Sequence, residues 1–269
     1  MNYRAIALDL DGTLTNSKKE VSKRNKEAVK QAAKNGVKII IATGRPTPGV
    51  TKISHTLELE KVGGYILAYN GGLIIDCKSG EIIRRETIPT EYYHTIVASA
   101  RKHRVTALTY DSDGIIAEND TDEYAHKEAK INGIQIKKVY PLDSIAAADP
   151  VVKFLIVGEP KKLKPVYDDL TEKLKGKVTI FYSEPYFLEV MPNGIEKASS
   201  LELLLDKIGI ERKYLMACGD GFNDIPMLKY AGLSVAMENA QEETKEWADY
   251  IAPSNDADGV GVAIEKFVL

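Results

Sequence analysis

Asp9-Leu10-Asp11-Gly12-Thr13-Leu14 sets two carboxylates two residues apart, directly after the apolar run Tyr3–Leu8. On a strand that spacing puts both side chains on one face, and Gly12 lets the chain turn sharply beyond them. Two like charges ~4 Å apart, at an effective dielectric of ~20, repel by about 4 kcal/mol. Such a pair does not serve stability; a bound cation or a shared proton relieves it. Ala42-Thr43-Gly44-Arg45-Pro46 offers a hydroxyl, a flexible glycine and a guanidinium, which suit an anion. Lys197 sits near a helix start, and Gly219-Asp220-Gly221-Phe222-Asn223-Asp224 adds two carboxylates and an amide on a glycine-punctuated loop. Oxygen donors without nearby His or Cys pairs point to Mg²⁺ rather than zinc, and such an ion usually also takes a phosphate oxygen.

These clusters need a scaffold that brings them to one edge. Residues 3–8, 37–42 and 65–69 read as buried strands, and the amphipathic pattern from Ser22 to Asn35, stopped by Gly36, reads as a helix between the first two. Strand–helix–strand at this spacing is a βαβ unit and implies a parallel sheet. The alternation returns late: helix over 198–208, strand over 214–218, helix over 226–231, strand over 233–236, helix over 242–248, strand over 250–252 and helix over 260–267. The four clusters fall at strand carboxyl ends or just ahead of a helix, the edge where open α/β sheets bind ligands.

The middle of the chain differs. Short β-rich runs at 82–85, 106–110, 114–118, 152–157, 178–182 and 187–190 alternate with helical patterns at 91–103 and 163–174. They read as an α+β layer of residues 84–190 inserted into a core built from 1–83 and 191–269. The lysine-rich stretch Lys18–Lys38 reads as the solvated face of a helix. A net charge of -3 and the lack of a basic aromatic pattern disfavour a nucleic-acid partner. No run approaches ~18 uncharged apolar residues, so no membrane span is expected. Cys77 and Cys218, far apart in sequence, fit a reducing, cytoplasmic setting.

DLDGTLT, ATGR, a later lysine and GDGFND resemble, in order, the four signature motifs of the haloacid dehalogenase-like (HAD) phosphohydrolases. The place and size of the insert, and Tyr69-Asn70-Gly71-Gly72, resemble the Cof-type subfamily. Ala198 after Lys197, where the subfamily commonly has glycine, is a mild departure. The resemblance implies a Rossmann-like parallel-sheet core with an inserted α+β cap that selects the substrate. It implies a Mg²⁺-dependent phosphatase for small phosphate monoesters, with sugar phosphates favoured. Asp9 would be the nucleophile that forms an aspartyl-phosphate, and Asp11 the general acid and base. The metal set would be Asp9, Asp11 through its backbone carbonyl, Asp220 and Asp224, the last ordering metal-bound water or Lys197. Thr43, Gly44, Lys197 and Asn223 would grip phosphate, with Arg45 and Asn70 toward the substrate. A phosphomutase using the same covalent step and a non-catalytic sugar-phosphate-binding regulator are the alternatives. The expected assembly is a monomer or weak homodimer.

Overall fold

The computed structural model describes residues 3–269; the first two residues, where the expected core segment opens, lie outside the described residues. The chain divides into two compact units, one of Met1–Gly44, Val50–Arg84 and Glu196–Leu269, the other of Arg45–Gly49 and Arg85–Ile195.

The first unit is α/β. Numbered along the chain, its strands are β1 (Ala5–Leu8), β2 (Lys38–Ala42), β3 (Gly64–Ala68), β4 (Leu73–Asp76), β5 (Ile82–Arg85), β12 (Leu215–Gly219), β13 (Leu233–Met237) and β14 (Tyr250–Ala252). They form one eight-stranded sheet in the order β14-β13-β12-β1-β2-β3-β4-β5. The six strands from β14 to β3 run parallel, and β4 turns back antiparallel on β3. β1, β12 and β13 are buried at every residue, as strands covered on both faces must be, and for that they need unbroken apolar runs.

Helix Lys23–Lys34 starts where Ser22 accepts a hydrogen bond from the Asn25 backbone N–H, a side-chain cap on an otherwise unpaired donor. It packs against helix Gly259–Phe267. Helix Lys197–Ile208 sends Leu201, Leu204 and Leu205 into a cluster with Ala5, Ala7, Ile40, Leu215 and Ala217. From β1 the chain moves to β2 on one side and later returns to β12 on the other. The loops after these three strands therefore start side by side at the reversal of strand order.

The second unit is α+β. Its strands are β6 (Thr106–Tyr110), β7 (Gly114–Ala117), β8 (Gln135–Lys138), β9 (Phe154–Val157), β10 (Thr179–Glu184) and β11 (Phe187–Met191), in the order β10-β11-β9-β6-β7-β8. Alternation divides the faces. Ala107, Phe154, Ile156, Leu188 and Val190 meet residues of helices Tyr93–Lys102 and Pro160–Lys173. Leu108, Ile115, Leu155, Val157 and Phe187 meet Ala125 and Ala129 of helix Glu123–Asn132.

The run 82–85, read with the insert, is instead the edge strand β5 of the large sheet. Helix Glu123–Asn132 and strand β8 carry too few apolar residues to show a period: the helix buries two alanines beside Glu128 and Asn132. Among the described residues no helix is long and apolar enough to cross a membrane.

Asp169 ties the two helices on the first face together. Its Oδ2 accepts from Ser99 Oγ at 2.7 Å and Lys173 Nζ at 2.9 Å, and Lys102 Nζ stands 3.4 Å from Oδ1. The Ser99 hydroxyl first, then these lysines, pull the carboxyl from 3.8 down to about 2. A carboxyl with a depressed folded-state pKa stabilises the fold above its unfolded pKa, and the gain is lost as pH falls toward the folded value. Asp169→Asn is expected to cost about 1 kcal/mol at neutral pH, with the difference shrinking between pH 4 and pH 2. Urea unfolding of both proteins at pH 7 and pH 3 measures this; a difference that stays constant contradicts the assignment.

Candidate active site

β1 ends at Leu8, and the chain then folds back tightly: Leu14 N–H donates to Asp9 O at 3.2 Å and Thr15 N–H to Leu10 O at 2.9 Å. Three side-chain amides from other segments hold this loop, those of Asn25 and Asn255 buried and that of Asn239 exposed. Asn239 Nδ2 donates to Gly12 O at 2.8 Å, Asn25 Nδ2 to Leu14 O at 3.2 Å and Asn255 Nδ2 to Thr15 O at 2.9 Å.

Asp9 is 6 % exposed and receives Lys197 Nζ on Oδ1 at 2.6 Å. The same ammonium donates to Asp224 Oδ1 at 2.6 Å. Lys197 is the first residue of its helix and is 1 % exposed; Asp224 is completely buried. Asp224 Oδ2 accepts the backbone N–H groups of Asp220 and Gly221, each at 2.9 Å. One carboxylate thus fixes both the ammonium and the loop after β12. Gly219 makes room for it, since a Cβ there would lie 2.5 Å from Asp224 Cβ. Asp220 in turn accepts from Thr13 Oγ1 at 2.9 Å.

Carboxylate oxygens of Asp9, Asp220 and Asp224 all lie within 4.8 Å of one another. Burial, then the Asp224 charge, pushes the Asp9 carboxyl well above the usual range, against the pull of Lys197. Burial also lifts Asp220 to about 6, although the Thr13 hydroxyl pulls it down. Burial works against the Lys197 ammonium too, but the Asp224 and Asp9 carboxylates outweigh it and hold the proton on. With all three carboxylates ionised, the one ammonium leaves two negative charges unbalanced. A divalent cation bound by oxygen donors balances them, so the residues present fit Mg²⁺. Asp9 and Asp220 are the carboxylates free to hold it, because both oxygens of Asp224 are already hydrogen-bonded within the site.

The Asp11 carboxylate is not among these three, and both Asp9 and Asp11 lie in the loop beyond the strand, where its period no longer applies. The Asp11 carboxylate takes Lys19 Nζ at 2.7 Å, although its charge still presses on Asp220. Lys19 lies in a turn with φ 62°, ahead of the helix whose solvated face the lysine run was read as.

Thr43, 1 % exposed, follows β2, and its carbonyl accepts the Asn70 N–H at 2.8 Å. Asn70 adopts a left-handed conformation with φ 56°, and its Oδ1 accepts from Asn223 Nδ2 at 3.2 Å. A Cβ on Gly44 would lie 3.4 Å from Asn70 Oδ1. Thr43, Gly44, Asn70 and Asn223 thus gather into one polar group of the first unit. Arg45, the next residue along the chain, is grouped with the second unit, is 8 % exposed, and donates to Gly49 O at 3.3 Å. Thr13, Lys19 and Asn239 were not singled out in the sequence. Thr13 lay within the first acidic motif, but an asparagine or lysine in a loop carries no periodic signal.

Gly12 is the tightest point of the loop. It has φ 82°, and a Cβ would lie 2.3 Å from Asp220 Oδ2. Gly12→Ala is therefore expected to cost about 1–2 kcal/mol in backbone strain and to displace the Asp220 carboxylate. A shift of that kind is expected to lower turnover about 100-fold. Steady-state kinetics beside thermal unfolding check it; unchanged kinetics would show that the contact is easily absorbed.

Residues 6–264 match the family model of the haloacid dehalogenase-like hydrolases. A haloacid dehalogenase-like hydrolase from Bacteroides thetaiotaomicron superposes with a TM-score of 0.95 at 46% identity, covering 98% of this chain and 99% of that one. A phosphoglycolate phosphatase of Methanobrevibacter smithii is 33% identical over 274 residues, covering 100% of both chains. A 5-amino-6-(5-phospho-D-ribitylamino)uracil phosphatase of Bacillus subtilis is 32% identical over 273 residues, covering 100% of this chain and 97% of that protein.

Proposed function

Because the chain belongs to the haloacid dehalogenase-like hydrolases, we propose that it is a Mg²⁺-dependent phosphatase that hydrolyses small phosphate monoesters, sugar phosphates among them, through an aspartyl-phosphate on Asp9. The observation that carries this reading is the buried Asp9–Lys197–Asp224 chain beside Asp220, with its two uncompensated negative charges. The phosphatases among its relatives support the reaction class.

In this reading Asp9 and Asp220, with the Asp11 carbonyl, would hold Mg²⁺, which would supply charge neutralisation on the phosphoryl oxygens. Asp9 attacks phosphorus, the ester P–O bond breaks, and Asp11 gives a proton to the departing alkoxide. Asp11 then takes a proton from water, whose oxygen attacks the aspartyl-phosphate, and phosphate leaves while Asp9 is regenerated. The Lys197 ammonium and the Thr43 hydroxyl bind phosphoryl oxygens, stabilisation that counts most as charge spreads in the transition state. Asp224 aims Lys197, and Asn223 and Asn70 border the phosphate. The second unit, residues 84–190 as read from the sequence, acts as the cap that excludes water and selects the leaving group.

The test is a panel of phosphate esters assayed for free phosphate, with Mg²⁺ and with a chelator. Release that depends on Mg²⁺ is expected. Isomerisation of a sugar 1-phosphate to its 6-phosphate without release would make the protein a mutase, and binding without either reaction would make it a regulator.

A further inference from the structure

Beyond the acidic loop the chain doubles back in a tight turn of the first unit. Thr15 makes one antiparallel bridge with Val21 and one parallel bridge with Asp11. Asn16 closes the turn: its Oδ1 accepts the N–H groups of Lys18 and Glu20, each at 3.0 Å. Its carbonyl accepts the Lys19 N–H at 2.8 Å, and its own N–H donates to Glu20 O at 2.9 Å. An asparagine that bonds the backbone two residues on is a local fastener. A second fastener comes from far along the chain, where Asp256 accepts both the Ser17 N–H, at 2.8 Å, and the Ser17 hydroxyl. At the tip Lys19 is held at φ 62°, and its Nζ reaches back to Asp11 Oδ1 at 2.7 Å.

Stability does not explain this lysine. The two side chains are 49% and 34% exposed. An ion pair so exposed returns less than a left-handed lysine costs, and glycine would serve the same turn without that cost. Strain of this kind is kept where the surroundings put it to use, and the group that Lys19 reaches is Asp11. Asp11 lies in the loop beyond β1, where no strand fixes its direction. A group that moves a proton must face its partner within hydrogen-bond reach. The ammonium on Oδ1 restricts how the carboxyl can rotate, and the fastened turn gives that ammonium a fixed root. A protonated carboxyl keeps acceptor capacity, so this bond can hold Asp11 in either protonation state.

We propose that Lys19 is a positioning residue: its ammonium orients the Asp11 carboxyl for proton transfer to the departing alkoxide. This rests on the phosphatase reading above. The proton passes from Asp11 to the alkoxide oxygen as the ester P–O bond breaks, and Lys19 keeps its own protons. The need for Lys19 therefore follows the need of the leaving group for a proton. An alkoxide requires one, whereas p-nitrophenolate departs without it.

The experiment measures kcat/KM in Mg²⁺ for p-nitrophenyl phosphate and for the alkyl phosphate turned over fastest in the panel above. Lys19→Met is expected to lower the ratio of alkyl to p-nitrophenyl ester by about tenfold or more. Lys19→Arg keeps a cationic donor and is expected to hold the ratio within about threefold of wild type. Lys19→Gly suits the backbone at φ 62°, so it is expected to unfold at no lower a temperature than wild type and still to show the methionine variant's loss. That variant keeps the test decisive if Lys19→Met fails to fold. A loss shared equally by the two esters would make Lys19 merely structural and overturn the assignment, as would a glycine variant with the wild-type ratio. A wild type that releases phosphate from no ester would sink the phosphatase reading and this one with it, whereas an active wild type whose ratio ignores Lys19 sinks only this one.

Discussion

Asp9→Asn is expected to abolish phosphate release. An amide cannot attack phosphorus to give the acyl phosphate, and loss of a covalent nucleophile typically lowers kcat by about 10⁵-fold or more. The fold is expected to survive. The Asp9 carboxyl is held above its ordinary range by burial and by Asp224, so its charge at neutral pH weighs against folding. A neutral amide of the same shape removes that cost, while Lys197 keeps its bond to Asp224. Without added divalent cation, the midpoint of thermal unfolding is therefore expected to equal or exceed that of the wild type. Rapid-quench detection of labelled phosphoenzyme completes the test: signal in the wild type and none in the variant. Activity above a few per cent of wild type would remove Asp9 from the role of nucleophile.

Lys197→Met is expected to have the second-largest effect, and on two quantities. Losing a positioned donor at the phosphoryl group is expected to lower kcat by about 10²–10³-fold. Losing the ammonium also leaves Asp9 and Asp224 buried without their shared partner. Breaking a buried ion pair from one side costs about 3–5 kcal/mol. A divalent cation offsets the surplus negative charge, so the variant is expected to bind Mg²⁺ more tightly and to recover part of its stability when Mg²⁺ is added. Chemical denaturation with and without MgCl₂, beside a phosphate-release assay, measures both. Wild-type rates, or a stability loss indifferent to Mg²⁺, would contradict the role given to Lys197.

The α/β class was legible because β1, β2, β3 and β12 are short apolar runs that each stop at a polar cluster. A strand buried on both faces has no other way to be written. Asp9 and Asp220 could be named because each follows a buried strand, and Lys197 and Asp224 because each stands at the start of a helix; the structure brings the four together. Asp11 shows the limit. Its spacing from Asp9 promised a shared face, but the strand stops at Leu8 and the carboxylate turns to Lys19. Lys19 itself was hidden in a lysine-rich stretch whose average character is that of a solvated helix. Helix Thr47–Leu57 was missed because Pro48, Gly49, Thr51 and Thr56 weaken helix propensity, and tertiary packing overrides that bias. Glu189 and Lys153 gave no signal at all. Glu189 lies inside β11 and Lys153 just ahead of β9, and only the folded sheet sets them against each other.

The two-sided grip of Asp224 has a consequence for how such an enzyme can diversify. Its oxygens tie the ammonium to the loop after β12, so a change that tunes one disturbs the other. A centre wired in that way resists gradual modification and is inherited whole. New substrates are then most readily acquired by altering side chains outside it, which leaves the bond-breaking apparatus intact.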